Sequence, residues 1–210
     1  VHEITEAVQQ ILGRLKHLPL EEQVEVLNEV RRVIAEVSPF DSEPVDYVQW
    51  VQAEKVRGND YNPNQVAPPE MKLLELSIKQ DGYTQPIVAY YDSSKDEYIV
   101  VDGFHRHRVG KESQEIYTRI HGYLPVVTIQ KDLSERMAST IRHNRARGTH
   151  AILPMSKIVE ELYFSGWSDK KIAEQLGMDK DEVLRLKQFT GLGNLFKDRE
   201  FSKSWIWEND

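Results

Sequence analysis

The chain has 210 residues, 40% hydrophobic, 29% charged and 9% aromatic, which excludes a disordered polypeptide and suits one mid-sized domain or two small ones. A net charge of −7 excludes whole-surface attraction to nucleic acid, and the lack of cysteine excludes disulfides, zinc–thiolate sites and thiol nucleophiles. No apolar run approaches the roughly 20 residues that span a bilayer, and the opening VHEITEAVQQ lacks a signal-peptide pattern, so a cytoplasmic location with no membrane contact is expected.

Ile4, Val8, Ile11, Leu15 and Leu18 recur at heptad-like spacing and predict a first amphipathic helix. Pro19, Glu21 and Glu22 suit the start of a second helix, with the stripe Val24, Leu27, Val30, Ile34 and Val37. Together they predict a helical hairpin over 1–37, which either packs on its own domain or serves to dimerise or bind a partner helix. Residues 38–44, rich in Ser and Pro, read as a linker.

From Val48 the texture is α/β. A strand is predicted over 51–56, a turn at Asn62-Pro63-Asn64, and a helix over 69–80 with Met71, Leu74 and Ile78 on one face and Gly82 beyond its end. Strands are expected over 86–91 and 98–101 around a Ser-Ser-Lys-Asp turn, then a helix over 106–111 and a strand over 124–129. The result is a small mixed sheet with helices on it.

A helix over 156–163 is interrupted at Gly166-Trp167-Ser168. Ser168 then suits the N-cap of a helix over 169–176, Gly177 its end, and 180–189 a further helix. The order Ile172, Ala173, Leu176, Gly177, Met178, Val183, Leu186 has helix-turn-helix spacing. Its second helix is expected to present Lys180, Arg185, Lys187 and Gln188 to DNA, beside Asp179, Asp181 and Glu182, which repel phosphate. The alternative is a packing or dimer module. Residues 191–210, with Trp205 and Trp207, read as a tail that docks or binds a partner.

The richest stretch is Asp102-Gly103-Phe104-His105-Arg106-His107-Arg108, where a strand runs into a helix through a glycine. Gly103 allows a sharp turn and close approach, and the first helical N–H groups point outward with the positive dipole end behind them. Four basic or near-basic side chains there favour phosphate, which arginine grips with paired hydrogen bonds. Charge agrees locally: residues 61–150 hold 11 acids and 12 bases, whereas residues 1–60 hold 12 and 6. Walker A and G-x-G-x-x-G loops are absent, as is G-x-S-x-G. His105 and His107, two residues apart, fall on different helix faces and make a poor metal pair.

The sequence of Asn62-Pro63, Gly82-Tyr83-Thr84-Gln85-Pro86-Ile87, Asp102–Arg108 and Asn144-Arg145 resembles the ParB/sulfiredoxin superfamily over roughly 47–150. Within it, the D-G-F-H-R and H-N-R-A-R-G segments are most similar to the IbrB-like regulators. The resemblance implies an α+β fold in three parts: a helical hairpin over 1–37, a mixed-sheet ParB-like nucleotide domain over 47–150, and an all-helical helix-turn-helix with tail over 151–210. It implies ATP or CTP, with Mg²⁺, as cofactor. Gln85 would touch the nucleotide, Gly103, His105, Arg106, His107 and Arg108 the phosphates, with Arg145 alongside, and Asn144 the phosphate or the Mg²⁺.

The departures narrow the chemistry. Phe104 stands where sulfiredoxin has its catalytic cysteine, so sulfinic-acid repair is excluded. Related serine kinases place a Glu base after a Pro-His pair, where this chain reads Pro63-Asn64-Gln65. His143 replaces the partition proteins' Glu, and imidazole is a poor Mg²⁺ ligand. Asp102 is the remaining candidate carboxylate for catalysis. The implied function is nucleotide-dependent DNA binding by a homodimer, in transcription regulation or a phage or plasmid process. The alternatives are an ATP- or CTP-dependent hydrolase or kinase in the same cleft, or a module that binds an adenosine-phosphosulfate-reductase-like protein.

Overall fold

The computed structural model describes residues 2–59, 68–145 and 152–189, with the side chains of 143–145 and 152–154 outside that description. The described chain forms two compact units, one of residues 2–59 and 68–131, the other of 132–145 and 152–189.

The first unit opens with helix α1 (His2–Leu12), a 3₁₀ turn over Gly13–His17, and helix α2 (Leu20–Glu36), with Pro19 at the N-cap of α2. The predicted single strand over 51–56 is instead two. Strand β1 (Gln49–Gln52) and strand β2 (Val56–Arg57) are separated by a 3₁₀ turn at Ala53–Lys55. Then come α3 (Pro68–Asp81), β3 (Ile87–Asp92), β4 (Glu97–Asp102), α4 (Phe104–Glu112), α5 (Gln114–Arg119) and β5 (Tyr123–Thr128). The predictions had no counterpart of α5.

The sheet order is β1-β5-β3-β4-β2, with β1–β5 and β3–β4 antiparallel, β3–β5 and β2–β4 parallel. This order forces curvature. Its two edge strands are joined by only Ala53–Lys55, a stretch reaching at most about 15 Å. Five flat strands would hold their edges about 19 Å apart. The sheet therefore curls until its edges approach, and the Tyr98 hydroxyl on β4 reaches Gln49 Oε1 on β1 at 3.2 Å. The outer edge of β1 is covered from α2: Asn28 donates to Trp50 O at 2.8 Å and accepts from Trp50 N at 2.9 Å. A side-chain amide thus completes a ladder that would otherwise lie open.

Val51, Ala53, Val56, Ile87, Ala89, Val100, Leu124 and Val126 fill the curl. A second cluster holds Ile78 of α3, Val109 of α4 and Ile116 of α5, with Met71 and Leu74 packed against it. It fixes α4 at the end of β4, which is where the site begins.

The second unit has helices α6 (Leu133–Arg145), α7 (Ile152–Phe164), α8 (Asp169–Leu176) and α9 (Lys180–Phe189). Its core joins Met137, Ile141, Met155, Ile158, Leu162, Trp167, Ile172, Leu176, Val183 and Leu186. Helix α6, inside the 47–150 segment expected as the nucleotide domain, packs with these C-terminal helices. The division thus falls after Lys131. No described helix is long and apolar enough to cross a membrane.

Candidate functional site

Strand β4 ends at buried Asp102, and Gly103 follows with φ +87° and ψ 25°. The left-handed corner lets α4 start at once, its first helical bond running from His107 N to Gly103 O at 2.8 Å. Gly103 has no side chain to cap the first-turn amides, which therefore open outward at the positive end of the helix.

Arg106 folds back beneath this corner. It donates to Gln85 Oε1 at 3.1 Å, to Pro86 O at 3.3 Å and to Asp102 Oδ2 at 3.5 Å. Its side chain is 15% exposed and that of Asp102 5%. The Tyr83 hydroxyl donates to Arg106 O at 2.8 Å, and burial pushes that phenol's pKa up to about 12. The 82–87 loop is thereby tied to the start of α4 by both the side chain and the backbone of Arg106. Of the residues expected at the nucleotide and its phosphates, Gln85, Gly103 and Arg106 come together here. Asp102 holds Arg106 in place.

The rest of the basic run fans out at about 100° per residue. His105 is half-buried beside the Phe104 ring, 5.7 Å away edge-on. Burial, then Arg108 and Arg106, lower its pKa. His107 points inward, against the expectation of a phosphate contact. It is 6% exposed with Nε2 3.0 Å from Val56 O, and burial lowers its pKa to about 4. A neutral, enclosed imidazole cannot neutralise a phosphate. Arg108 sits on another face and pairs with Glu112 at 3.0 Å, away from the Gln85–Arg106 contact. Asn144 and Arg145 lie on the last turn of α6 in the second unit, and their side chains fall outside the described structure. So does the turn at Asn62-Pro63-Asn64.

Two residues here carried no expected role. Tyr83 lies within the Gly82–Ile87 motif, so the sequence shows its position but not its bond to Arg106 O. Buried Asn59 donates to Val100 O at 2.6 Å, pinning the chain beyond β2 to the strand that ends in the site. Nothing in the local sequence marks it.

In the second unit, Ser168 caps α8 by accepting from Lys171 N at 3.2 Å. Gly177 ends α8 at φ +65°, with Met178 N donating to Ala173 O at 2.9 Å. Asp179 opens α9 by accepting from Glu182 N at 2.6 Å. Asp179 is thus a cap as well as a negative charge, a role the sequence permits at any helix start. On α9, Lys180, Arg185 and Gln188 are exposed. Lys187 corrects the expectation. It is fully buried, with Nζ 2.5 Å from Asp169 Oδ1 and 3.6 Å over the Tyr163 ring. Four residues after Val183 and beside Leu186, it falls on the inner face.

A model of the ParB N-terminal domain matches residues 38–141, and one of the IbrB-like C-terminal HTH domain matches residues 150–198. Uncharacterized protein YbdM of Escherichia coli (strain K12) is 53% identical over 191 residues, covering 91% of this chain and 91% of its own length. The chain belongs to the ParB-like proteins. It pairs their N-terminal domain with an IbrB-like helix-turn-helix domain. Among solved structures, C-terminally truncated Caulobacter crescentus ParB complexed with CTP-gamma-S is 17% identical, covering 72% of this chain and 87% of that one, with a TM-score of 0.41. The same protein complexed to the centromeric parS site is 16% identical, covering 71% and 76%, with a TM-score of 0.47.

Proposed function

We propose that this ParB-like protein is a DNA-binding regulator whose first unit binds a nucleoside triphosphate, ATP or CTP, at the start of α4. The observation that carries the reading is the meeting of Gln85 and Arg106 behind Gly103. Two sequence-distant motifs supply a guanidinium, an amide and the opening turn of a helix at one point. That donor set suits phosphate oxygens. Space agrees: a Cβ on Gly103 would lie 2.9 Å from an Arg106 guanidinium nitrogen, so glycine leaves room for the guanidinium to fold in at the corner.

A bound nucleotide would supply the negative charge that draws Arg106 and the first-turn amides together. Among the described residues no cluster of three His, Asp or Glu side chains could hold a metal, so Mg²⁺ would arrive on the phosphates, its usual carrier. Asp102 is committed to Arg106, which favours binding over hydrolysis. DNA contact falls to Lys180, Arg185 and Gln188 on α9, the exposed face of the helix-turn-helix.

Calorimetry with ATP and CTP tests the first unit. Arg106→Lys keeps a charge opposite Asp102 and loses the planar fork, so affinity should fall by about 1.5–3 kcal/mol, the worth of a charged hydrogen bond. Unchanged affinity in this variant and in Gln85→Ala would overturn the phosphate site. For DNA, anisotropy against a genomic fragment pool, with and without nucleotide, should find a preferred fragment. Lys180→Glu with Arg185→Glu should abolish that binding and spare nucleotide affinity. If the wild type selects no fragment in either condition, the helices are a packing module.

A further inference from the structure

Helix α1 has no buried residue, and its stripe stands open: Ile4, Val8 and Ile11 are 71%, 42% and 63% exposed. Eleven residues are too few to hold a helix in water by propensity alone, so this apolar face calls for a cover. We propose that its cover is the α1 of a second copy of this chain, packed antiparallel about a two-fold axis between Gln9 and Gln10.

Two independent patterns select that occupant. Ile4, Val8 and Ile11 of α1, with half-buried Leu15 on the 3₁₀ turn that continues it, are spaced symmetrically about the midpoint of Gln9 and Gln10. The two-fold therefore sets Ile4 opposite Leu15 of the partner subunit, and Val8 opposite Ile11 of the partner subunit. The charges follow the same symmetry. Glu3 and Glu6 lie at the start of the segment, Arg14 and Lys16 at its end, so Glu3 faces Lys16 of the partner subunit. Among the described residues neither Glu3 nor Lys16 forms an ion pair within its own chain. A parallel pair would instead set acid against acid. Isologous contacts of this kind close at two copies.

The size of the contact sets its strength. The paired segment, α1 and the 3₁₀ turn as far as Lys16, is about 20 Å long, and two such segments bury less than the roughly 1,000 Å² of a stable interface. The pairing is therefore reversible and concentration-dependent. It does not rest on the nucleotide or DNA reading, because α1 lies outside both matched segments, 38–141 and 150–198.

Sedimentation equilibrium of the full chain, over about 10–500 μM at low salt, reads the association directly. The wild type should shift from monomer toward dimer across that range. Glu3→Lys and Lys16→Glu should each weaken association about tenfold, since each breaks two symmetric ion pairs and adds repulsion. The double variant should restore it. Because the native chain has no cysteine, Val8→Cys mixed with Ile11→Cys offers a clean disulfide readout of register. Mixed cross-links should far exceed those of Val8→Cys alone. A wild type that stays monomeric, a double charge swap that fails to restore dimers, or equal cross-linking by Val8→Cys alone would each overturn the proposal.

Discussion

Arg106 and Lys187 look alike in the sequence, each a basic residue on a helix assigned to a ligand. The structure treats them differently. Arg106 lies at the mouth of α4 and serves acceptors from two segments, Gln85, Pro86 and Asp102. Lys187 is sealed between Asp169 and Tyr163 with no exposed surface. A guanidinium carries five donors in one plane, enough for protein acceptors and a phosphate together, whereas an enclosed ammonium has only its enclosure. The neighbours explain the difference. Lys187 follows Val183 and Leu186 at helical spacing, so core packing decides its direction before charge does.

That comparison breaks most sharply at Lys187. Lys187→Ala leaves Asp169 without its ammonium and opens a space beside Tyr163. The second unit should lose about 3 kcal/mol, from the lost charged hydrogen bond together with the space opened in the core, since Asp169 itself keeps a third of its surface in water. Lys187→Met together with Asp169→Asn should recover most of it. Urea unfolding followed by the fluorescence of buried Trp167 measures both. An unchanged midpoint in Lys187→Ala would place the side chain outside the core.

His107 sharpens the comparison, as a buried basic group that stays neutral. Its pKa falls from 6.5 to about 4 through burial, while the Val56 carbonyl acts to raise it. Between these values the unfolded chain binds the proton first. This contribution to stability is therefore fully present above pH 6.5 and is lost as pH falls toward 4. It amounts to about 3 kcal/mol for the first unit. His107→Gln keeps a donor for Val56 O and removes the titration, so its urea midpoint should vary less between pH 7 and 5. Parallel pH profiles for the two proteins would show that His107 is not the group being charged.

The sequence was most legible where a local rule and a tertiary need agree. The bounds of α8 and α9 follow from Ser168, Gly177 and the Val183–Leu186 spacing, and the α4 corner follows from Asp102-Gly103. It was least legible where distant partners decide. Nothing near 51–56 announces that Ala53–Lys55 turns the chain from one sheet edge to the other, because that break is imposed by the β5 and β4 pairings. The run 105–108 suggested a single basic patch because adjacency in sequence hides the helical rotation that sends His107 inward and Arg108 toward Glu112. The N-terminal stripes are visible, yet Val24 and Leu27 of α2 line a cavity shared with Trp50 and Tyr83, while Ile34 and Val37 stay 56% and 81% exposed. Periodicity reveals a face and not its partner.

The smallest effect separates the two glycine corners. Gly103 and Gly177 both adopt left-handed backbone, at φ +87° and +65°, so alanine at either should cost about 1–2 kcal/mol in backbone strain. Their surroundings differ. A Cβ at Gly177 meets nothing within 4 Å, whereas one at Gly103 lies 2.9 Å from the Arg106 guanidinium. Gly177→Ala should therefore stay at the lower end, about 1 kcal/mol, with nucleotide affinity unchanged. Gly103→Ala should sit at the upper end, because the guanidinium is a flexible end that moves aside and gives up its bonds to Asp102 and Pro86. That displacement should also weaken ATP or CTP binding, a loss strain alone does not produce. Urea midpoints and calorimetry on the two variants are the measurement. Equal midpoints with equal nucleotide affinity would show that the Gly103 corner and the Arg106 clamp are independent, and would remove the link between the glycine and the site.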